Sequence, residues 1–330
     1  MMNRILAKQV HDSYFLNLAS IHNLVYCNID ARNNRLMLKS ETKHYLILRS
    51  TGLVTRELFS NLLKILEVNF LIECGANDAS VSREFISGQP NRKALAIEAN
   101  PLVYERFKSI NSEFSQLKYV NVGISSHNSR QPFYVPNITD PSTSIFGSFQ
   151  RLSLYEYDKP MIVDIKQLDH FKRQIPSSAT SIALWIDVEG EVGRLLLGAK
   201  TILSDERVKM LYCELQDDVH YRDEKSAMEI SYELSKLGFF PIARDFLSAP
   251  LYNMIFVRSE SLSRVQQEIS SHFRRMEFIK IPFFVFPDFK TKLSKIKRRL
   301  LKIESRKWQS FVHQFSAILG SASSKSNDKQ

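Results

Sequence analysis

Cysteines are scarce in this chain, and long apolar runs are missing. The 330 residues include three cysteines, which are too few for a disulfide framework. They are Cys27, Cys74 and Cys213. No run reaches the roughly 18 apolar residues of a membrane-spanning helix. Charged residues interrupt the apolar residues from Met1 to Ser20, so this segment is a poor signal peptide. We therefore expect a cytoplasmic protein.

Charge is unevenly distributed along the chain. Residues 1–258 contain 30 basic and 29 acidic residues, whereas residues 259–330 contain 15 and 6. The net charge of +10 therefore comes almost entirely from the C-terminal part. We expect three regions: an N-terminal flank of mixed helical and extended character at 1–66, the main domain at 67–258, and a basic extension at 259–330.

Two short apolar runs organise the chain between Asn69 and Asn100. They are Phe70 to Ile72 and Ala94 to Ile97. Apolar runs of this length, bounded by turn residues, are typical of buried strands in a parallel sheet. The segment between them has helical character and ends at Gly88. The stretch therefore predicts a βαβ unit.

The turn after the first run contains only one glycine. Gly75 can adopt the positive φ of a sharp strand-to-helix turn, and Asn77 tolerates the left-handed region well. Ala79 is small enough to let the helix lie close to the strand. A dinucleotide site normally has three glycines, because the pyrophosphate contacts bare backbone. The turn therefore disfavours a pyrophosphate and favours a nucleoside without phosphates.

Two acidic residues near the turn narrow the choice of ligand. Glu98 lies 23 residues after Gly75, close to the spacing of about 20 at which an acid binds ribose hydroxyls. Glu73 precedes the turn and could hold an ammonium group, and the helix N-terminus could accept a carboxylate. Ribose, ammonium and carboxylate together describe S-adenosylmethionine. A buried strand and turn without a ligand is the alternative.

A second acidic stretch follows a later apolar run. Residues 183–188 predict a fourth strand, so Asp187 and Glu189 lie at its carboxyl end, where ligands of open α/β sheets bind. Carboxylates there could orient a hydroxyl group, take its proton, or hold a divalent cation. Capping of the next helix is the structural alternative for Glu189. We predict catalytic roles for both and assign no metal ligand.

One histidine is expected near the same edge of the sheet. A fifth strand from Val208 to Leu215 contains Glu214 near its end, and a polar loop with His220 follows. Histidine is a candidate general base, because its ordinary pKa is near neutral. A plain surface position is the alternative for His220.

The remaining pattern predicts an α/β fold with a mostly parallel sheet. We expect a third strand at Leu117 to Ser125, a helix at Glu191 to Ile202, and an antiparallel hairpin at 239–244 and 251–257. Residues 126–160 form a longer insertion than a connection needs. This insertion is either a place where the acceptor binds or a surface hairpin.

Five segments together resemble the FkbM-type methyltransferases, and the Asp-x-Glu-Gly block followed by Leu-Leu-Gly-Ala is the most specific part. The segments are FLIECGANDASVSREF at 70–85, AIEANP at 96–101, VNVGIS at 120–125, IKQLDHF at 165–171 and IDVEGEVGRLLLGA at 186–199. The resemblance covers about residues 66–258. It implies a Rossmann-like class I methyltransferase fold with a mostly parallel seven-stranded sheet, an antiparallel terminal hairpin and flanking helices.

The resemblance also implies a reaction. Such enzymes use S-adenosylmethionine to methylate a hydroxyl oxygen of a sugar, polysaccharide or related natural product, so we expect a small-molecule or glycan acceptor. In such a fold the backbone of Val122 and Gly123 would face the adenine. The expected cofactor-binding residues are Glu73, Gly75, Asn77, Glu98, Asn100, Val122 and Gly123. The expected catalytic residues are Asp187, Glu189 and His220, in that order.

Three positions depart from the pattern of the family. Ala79 stands where a second glycine is usual, Trp185 where a lysine is common, and His170 where a second aspartate is common. Because of these departures, one alternative stays open. The protein could be a binding module of a glycan-modifying assembly that kept the fold and lost its catalytic activity. The single glycine in the turn disfavours an enzyme that binds a nicotinamide cofactor.

Residues 289–319 combine many basic side chains with an apolar stripe. The stripe begins with Leu293, Ile296, Leu300 and Ile303. A cationic amphipathic helix can lie on an anionic membrane surface, so we predict a possible peripheral contact at the inner membrane. Packing on the main domain and binding of nucleic acid are alternatives. A nucleic-acid methyltransferase is disfavoured, because no Asn-Pro-Pro-Tyr-like motif follows the predicted fourth strand.

Overall fold

A computed structural model describes residues 42–136, 147–151, 157, 159–216, 224–245 and 251–278. His220 and the predicted membrane contact at 289–319 lie outside this part of the chain, and so does most of the predicted N-terminal flank. None of the helices in the described part is both long enough and apolar enough to span a membrane.

Seven strands form one sheet that is parallel except at one end. The strands are β1 (Phe70–Cys74), β2 (Lys93–Glu98), β3 (Leu117–Asn121), β7 (Ile182–Ile186), β8 (Val208–Gln216), β9 (Phe239–Arg244) and β10 (Leu251–Arg258). Their order is β3-β2-β1-β7-β8-β10-β9, and β10 runs antiparallel to both of its neighbours. This arrangement confirms the predicted Rossmann-like class I methyltransferase fold with its antiparallel terminal hairpin.

The central strands form because their side chains, apart from Glu73 in β1, are apolar on both faces. All five residues of β1 and of β7 are buried, as a parallel sheet with helices on both faces requires. β1 pairs with β2 on one side and with β7 on the other. The carboxyl ends of these three strands therefore lie side by side, with the turn after β1 in the middle.

Seven helices accompany the sheet in the described part of the chain. They are α1 (Thr42–Ile65), α2 (Ser80–Ile86), α3 (Pro101–Ser112), α4 (Val192–Leu197), α5 (Lys200–Leu203), α6 (Ala227–Lys236) and α7 (Leu262–Phe278). Short 3₁₀ helices occur at Leu168–Gln174 and Ser259–Ser261. Pro101 occupies the start of α3, because its fixed φ suits the first helical turn.

Two elements predicted as continuous are interrupted. The strand expected at 117–125 is divided at Val122, because β4 (Gly123–Ile124) leaves the main sheet and pairs with β6 (Met161–Lys166). The helix expected at 191–202 is divided between α4 and α5 at Gly198. A β-carbon at Gly198 would lie 2.2 Å from the carbonyl oxygen of Ser125, so the chain at this break closely approaches the strand beside it.

The insertion forms a second, smaller sheet. β6 pairs in parallel with β4 and antiparallel with β5 (Ser129–Phe133). The apolar side chains Phe133, Val163 and Ile165 form a separate small core in it, against which Phe149 packs. This subdomain follows β3 directly and therefore stands at the carboxyl edge of the main sheet.

Helices from beyond the predicted boundaries at 66 and 258 share the core of the main domain. Leu58 and Leu62 of α1 are fully buried, and Val265 of α7 is buried in the same cluster. α1 and α7 also contact each other. Within the described residues, α1 and α7 therefore pack into the same core as the main sheet.

Candidate active site

The turn between β1 and α2 requires an unusual backbone. Gly75 has a φ of 76°, and a β-carbon there would lie only 1.7 Å from the carbonyl oxygen of Asp187. Asn77 and Ala79 are also in the left-handed region, with φ of 46° and 59°. This conformation costs a residue with a side chain about 1–2 kcal/mol. Ala79 thus keeps the backbone conformation that a glycine would adopt more easily.

Side chains from three elements hold this turn in place. The hydroxyl of Tyr119 donates a hydrogen bond to the carbonyl of Asn77. The carbonyl of Asp78 accepts hydrogen bonds from Arg83 and from the side-chain amide of Asn111, at 3.2 Å in the second case. Strained backbone persists where the surroundings determine it, and these bonds supply such support.

Glu98 lies beneath the turn at the end of β2. Its Oε2 accepts the backbone N–H of Asn77 at 2.7 Å, and its Oε1 accepts the backbone N–H of Asn100 at 2.7 Å. Burial raises the pKa of Glu98, and the hydrogen bonds to the backbone oppose that shift. The carboxylate is therefore held by β2, the turn and the start of α3 at the same time. Each oxygen keeps further acceptor capacity, because a carboxylate offers about four lone-pair sites.

Glu73 points toward α2. Its Oε2 accepts the backbone N–H of Ser82 at 2.9 Å and also the hydroxyl of Ser82. Burial raises the pKa of Glu73 to about 7, although the bonds from Ser82 lower it. The carboxyl fastens α2 to β1 behind the turn.

A cavity of about 260 Å³ opens at the carboxyl edge of the main sheet. It reaches from the end of β8, past the turn, to the small sheet. Of the predicted site residues, the structure places Gly75, Asn77, Glu98, Asn100, Val122, Asp187 and Glu189 in its lining. Glu73 is not in the lining, and Gly123 lies behind Phe149, whose ring would meet a β-carbon on Gly123 at 2.4 Å.

Three carboxyl groups converge at one end of the cavity. Oxygens of Asp187, Glu189 and Glu214 lie within 4.8 Å of one another. The carboxyl groups of Asp187 and Glu214 are joined by a hydrogen bond. Burial and the charges of its neighbours raise the pKa of Glu214 well above its ordinary value. Burial and the charge of Asp187 raise the pKa of Glu189 to about 7. Within the described residues, none of the three forms an ion pair with a basic side chain.

Such a cluster can do two things chemically. A carboxylate with a pKa near neutrality is matched to accepting a proton at physiological pH. Three carboxylate oxygens this close could instead hold a divalent cation. Either a proton or a cation offsets the repulsion among the negative charges.

Two acidic residues in the lining were not among the predicted site residues. Glu214 lies two residues before the end of β8, and its position near the end of a predicted strand was the signal available in the sequence. Glu191 follows the Asp-x-Glu-Gly block, and its carboxylate accepts hydrogen bonds from Ser125, at 2.9 Å, and from Arg194. Glu191 is therefore neutralised by a neighbouring cation, unlike the cluster.

The positions that depart from the family pattern can also be located in the structure. Trp185 stacks on Tyr212 with ring centroids 3.8 Å apart, and Phe59 of α1 packs against both rings. An aromatic core thus occupies the position where a lysine is common. Asp169 accepts the backbone N–H groups of Thr201, at 2.9 Å, and of Ile202, at 2.8 Å, at the start of α5, whereas the neighbouring His170 is exposed.

The comparison with known families decides the identity of the fold. A model of the "Methyltransferase FkbM domain" matches residues 73–241, just over half of the chain. The chain belongs to the FkbM methyltransferase family. Membership of this family implies S-adenosylmethionine as the methyl donor.

One curated relative of this FkbM methyltransferase is the 2-O-methyltransferase NoeI of Sinorhizobium fredii (strain NBRC 101917 / NGR234). The two are 24% identical over 163 residues, which are 47% of this chain and 66% of NoeI. The alignment thus spans just under two thirds of the relative.

Solved structures are similar at a lower level. The methyltransferase domain of bacterial CtHen1 aligns with a TM-score of 0.34 and 12% identity over 63% of this chain and 98% of that domain. The precorrin-6y C5,15-methyltransferase of Geobacter metallireducens GS-15 aligns with a TM-score of 0.33 and 12% identity over 60% of this chain and 86% of that one. The fold assignment therefore rests on strand order and on the family match.

Proposed function

We propose that this FkbM methyltransferase transfers a methyl group from S-adenosylmethionine to a hydroxyl oxygen of a sugar, polysaccharide or related natural product. The observation that carries the proposal is the convergence of two kinds of group on one cavity. At its centre lie the turn and Glu98, and at one end lies the carboxyl cluster of Asp187, Glu189 and Glu214.

The donor would lie along the edge of the sheet. Glu98 would accept hydrogen bonds from the ribose hydroxyls, in keeping with its position at the end of β2. Gly75 and Asn77 would border the methionine part, because they line the cavity between Glu98 and Asp187. For Glu73, predicted as a partner of the ammonium group, we propose a supporting part through Ser82 and α2, since it is not in the lining.

The carboxyl cluster would act on the acceptor. In the reaction the hydroxyl oxygen attacks the methyl carbon in line with the sulfur, the carbon–sulfur bond breaks, and S-adenosylhomocysteine leaves. The hydroxyl proton passes to a carboxylate. Asp187 and Glu189 are the candidates, and Glu189 suits the task because its pKa is about 7. A positioned base of this kind contributes about 10²- to 10⁴-fold to the rate. His220 stays a prediction, as it lies outside the described residues.

Two observations support a neutral hydroxyl acceptor. NoeI is named a 2-O-methyltransferase. The described lining of the cavity contains five carboxyl groups and no lysine, arginine or histidine, which disfavours phosphorylated acceptors and nucleic acid. The five are Glu98, Asp187, Glu189, Glu191 and Glu214. Cytoplasmic location and contact of residues 289–319 with a membrane remain predictions.

The test is an acceptor screen with S-adenosylmethionine labelled in the methyl group. We expect label in neutral mono- and oligosaccharides or glycolipids, at an oxygen identified by mass spectrometry. Asp187→Asn should reduce this transfer by two orders of magnitude or more, whereas Asp164→Asn, a surface change on β6, should not. Label found only in phosphorylated, nucleic-acid or nitrogen acceptors would contradict the proposal.

A further inference from the structure

The two ends of the cavity differ in polarity. The end at β7 and β8 carries the carboxyl cluster, and the opposite end is bordered by apolar side chains. These include Val103, Val122, Ile124, Phe133 and Phe149. The apolar end lies beyond β2, at the end of β3, where β4 of the small sheet begins.

The order of strands fixes which part of the donor reaches the apolar end. Along the edge, the cluster comes first, then the turn after β1, then Glu98 at the end of β2, and then Val122 after β3. A donor whose sulfonium faces the cluster and whose ribose binds Glu98 has only its adenine left to extend past Glu98. Adenine is flat and aromatic, and its faces are satisfied by apolar contact.

Phe149 presents a suitable surface there. Its side chain is half-buried and lines the cavity, and its ring packs edge to face with that of Phe133 at 5.3 Å between centroids. Two glycines make room for the pair. A β-carbon on Gly123 would lie 2.4 Å from the ring of Phe149, and one on Gly147 would lie 2.4 Å from the ring of Phe133. The ring of Phe149 is therefore fixed by close packing.

We infer that Phe149 is an adenine-binding residue of the donor site, with its ring stacked on the base and supported by Phe133. The insertion at 126–160, considered above as a place where the acceptor binds or as a surface hairpin, is thereby proposed as part of the donor site instead. This inference rests on the proposed binding of ribose by Glu98. It leaves the acceptor to enter from the end with the carboxyl cluster.

The experiment compares two nucleoside ligands by calorimetry. S-adenosylhomocysteine contains the amino-acid part, and 5′-methylthioadenosine lacks it, but both contain adenine and ribose. Phe149→Leu should weaken both by about the same factor, roughly tenfold, because stacking of a base on an aromatic ring is lost. Phe149→Tyr keeps the ring and should stay within about twofold of the wild type.

The matched control is Phe107→Leu. Phe107 lies on α3, which begins at the cavity, but it is not in the lining, so this change should leave both affinities unaltered. In the wild type labelled with ¹³C-phenylalanine, we expect nuclear Overhauser effects from adenine H2 or H8 to one phenylalanine ring, assigned by their loss in Phe149→Leu or their shift in Phe149→Tyr.

Three results would overturn the inference. One is an affinity of folded Phe149→Leu within twofold of the wild type for both ligands. Another is a loss of affinity for S-adenosylhomocysteine alone, which would place the ring of Phe149 beside the amino-acid part of the ligand. The third is the absence of contacts between adenine and any phenylalanine ring in the wild-type complex, which decides the matter even if the leucine variant does not fold. Failure of the wild type to bind either ligand would instead contradict the donor site itself.

Discussion

Two acidic regions at the carboxyl edge of the main sheet differ in the groups that bind their carboxyl oxygens. At the turn, Glu73 and Glu98 accept hydrogen bonds from backbone N–H groups and a hydroxyl, so each fixes the position of neighbouring backbone. At the other end, Asp187, Glu189 and Glu214 face one another. The first region is preorganised by the fold. The second needs a proton or a cation from outside the described protein groups.

The largest expected effect is at the turn. Gly75→Ala should destabilise the protein by several kcal/mol, about 4 or more, because the added carbon would collide with the backbone of Asp187. The matched control is Gly88→Ala, since Gly88 also has positive φ but has nothing within 4 Å of the added carbon. Its cost should be only about 1–2 kcal/mol. If urea unfolding showed the same loss of unfolding free energy for both variants, the turn would not be packed against the end of β7 as described.

Glu73 should make stability depend on pH. Its pKa is about 7 in the folded protein, above the ordinary value of 4.5, so the folded state holds the proton longer than the unfolded state. Its contribution is therefore most favourable below about pH 4.5 and is lost as the pH rises through 7, by about 3 kcal/mol. Glu73→Gln should remove this contribution to the fall in stability between pH 5 and pH 8.

Urea unfolding at several pH values measures that difference. The exposed Glu113→Gln, just after the C-terminal end of α3, is the control, and its pH profile should follow that of the wild type. A Glu73→Gln profile parallel to the wild type would contradict the burial of a strained carboxyl behind the turn.

The effect of pH on ligand affinity should depend on whether the ligand carries a positive charge near the carboxyl cluster. Between pH 6 and pH 8 Glu189 loses its proton, because its pKa is about 7. The added negative charge favours the sulfonium of S-adenosylmethionine over the neutral sulfur of S-adenosylhomocysteine. The ratio of their affinities should therefore rise by roughly threefold to tenfold over this range. Calorimetry on the wild type and on Glu189→Gln checks this, and the ratio should be flat in the variant. A ratio that stays flat in the wild type would place the sulfonium away from the cluster.

The smallest effect is expected at Ala79. Ala79→Gly relieves a positive φ but adds freedom to the unfolded chain, so the two effects nearly cancel and stability should change by less than about 1 kcal/mol. Donor affinity should stay within about threefold, because Glu98, Tyr119 and Arg83 still hold the turn. A large gain in affinity would mean that alanine here impairs the site, as expected of a decayed binding module.

The pattern of residues within each segment was sufficient to predict the sheet and the turn. The runs at β1 and β7 are apolar because both faces are buried, and Gly75 is required by local backbone geometry. The breaks at Val122 and Gly198 depend on close approach of distant segments, as between Gly198 and Ser125. Periodicity within one segment contains no information about such contacts.

The site was predictable only in part for the same reason. Glu98 and Asp187 end apolar runs, so their place at the edge follows from sequence. The direction of Glu73 depends on Ser82, nine residues later on another element. Phe149 reaches the cavity only because the insertion folds into the small sheet.

Binding of S-adenosylmethionine to the wild type and to Glu98→Gln, measured by calorimetry, tests the central claim most directly. The change removes one acceptor oxygen and the charge at the end of β2, and exposed Glu105→Gln on α3 serves as the control. We expect binding of one donor per chain in the wild type and in the control, and an affinity weakened about tenfold or more in Glu98→Gln. Wild-type affinity in folded Glu98→Gln would contradict the donor site described here.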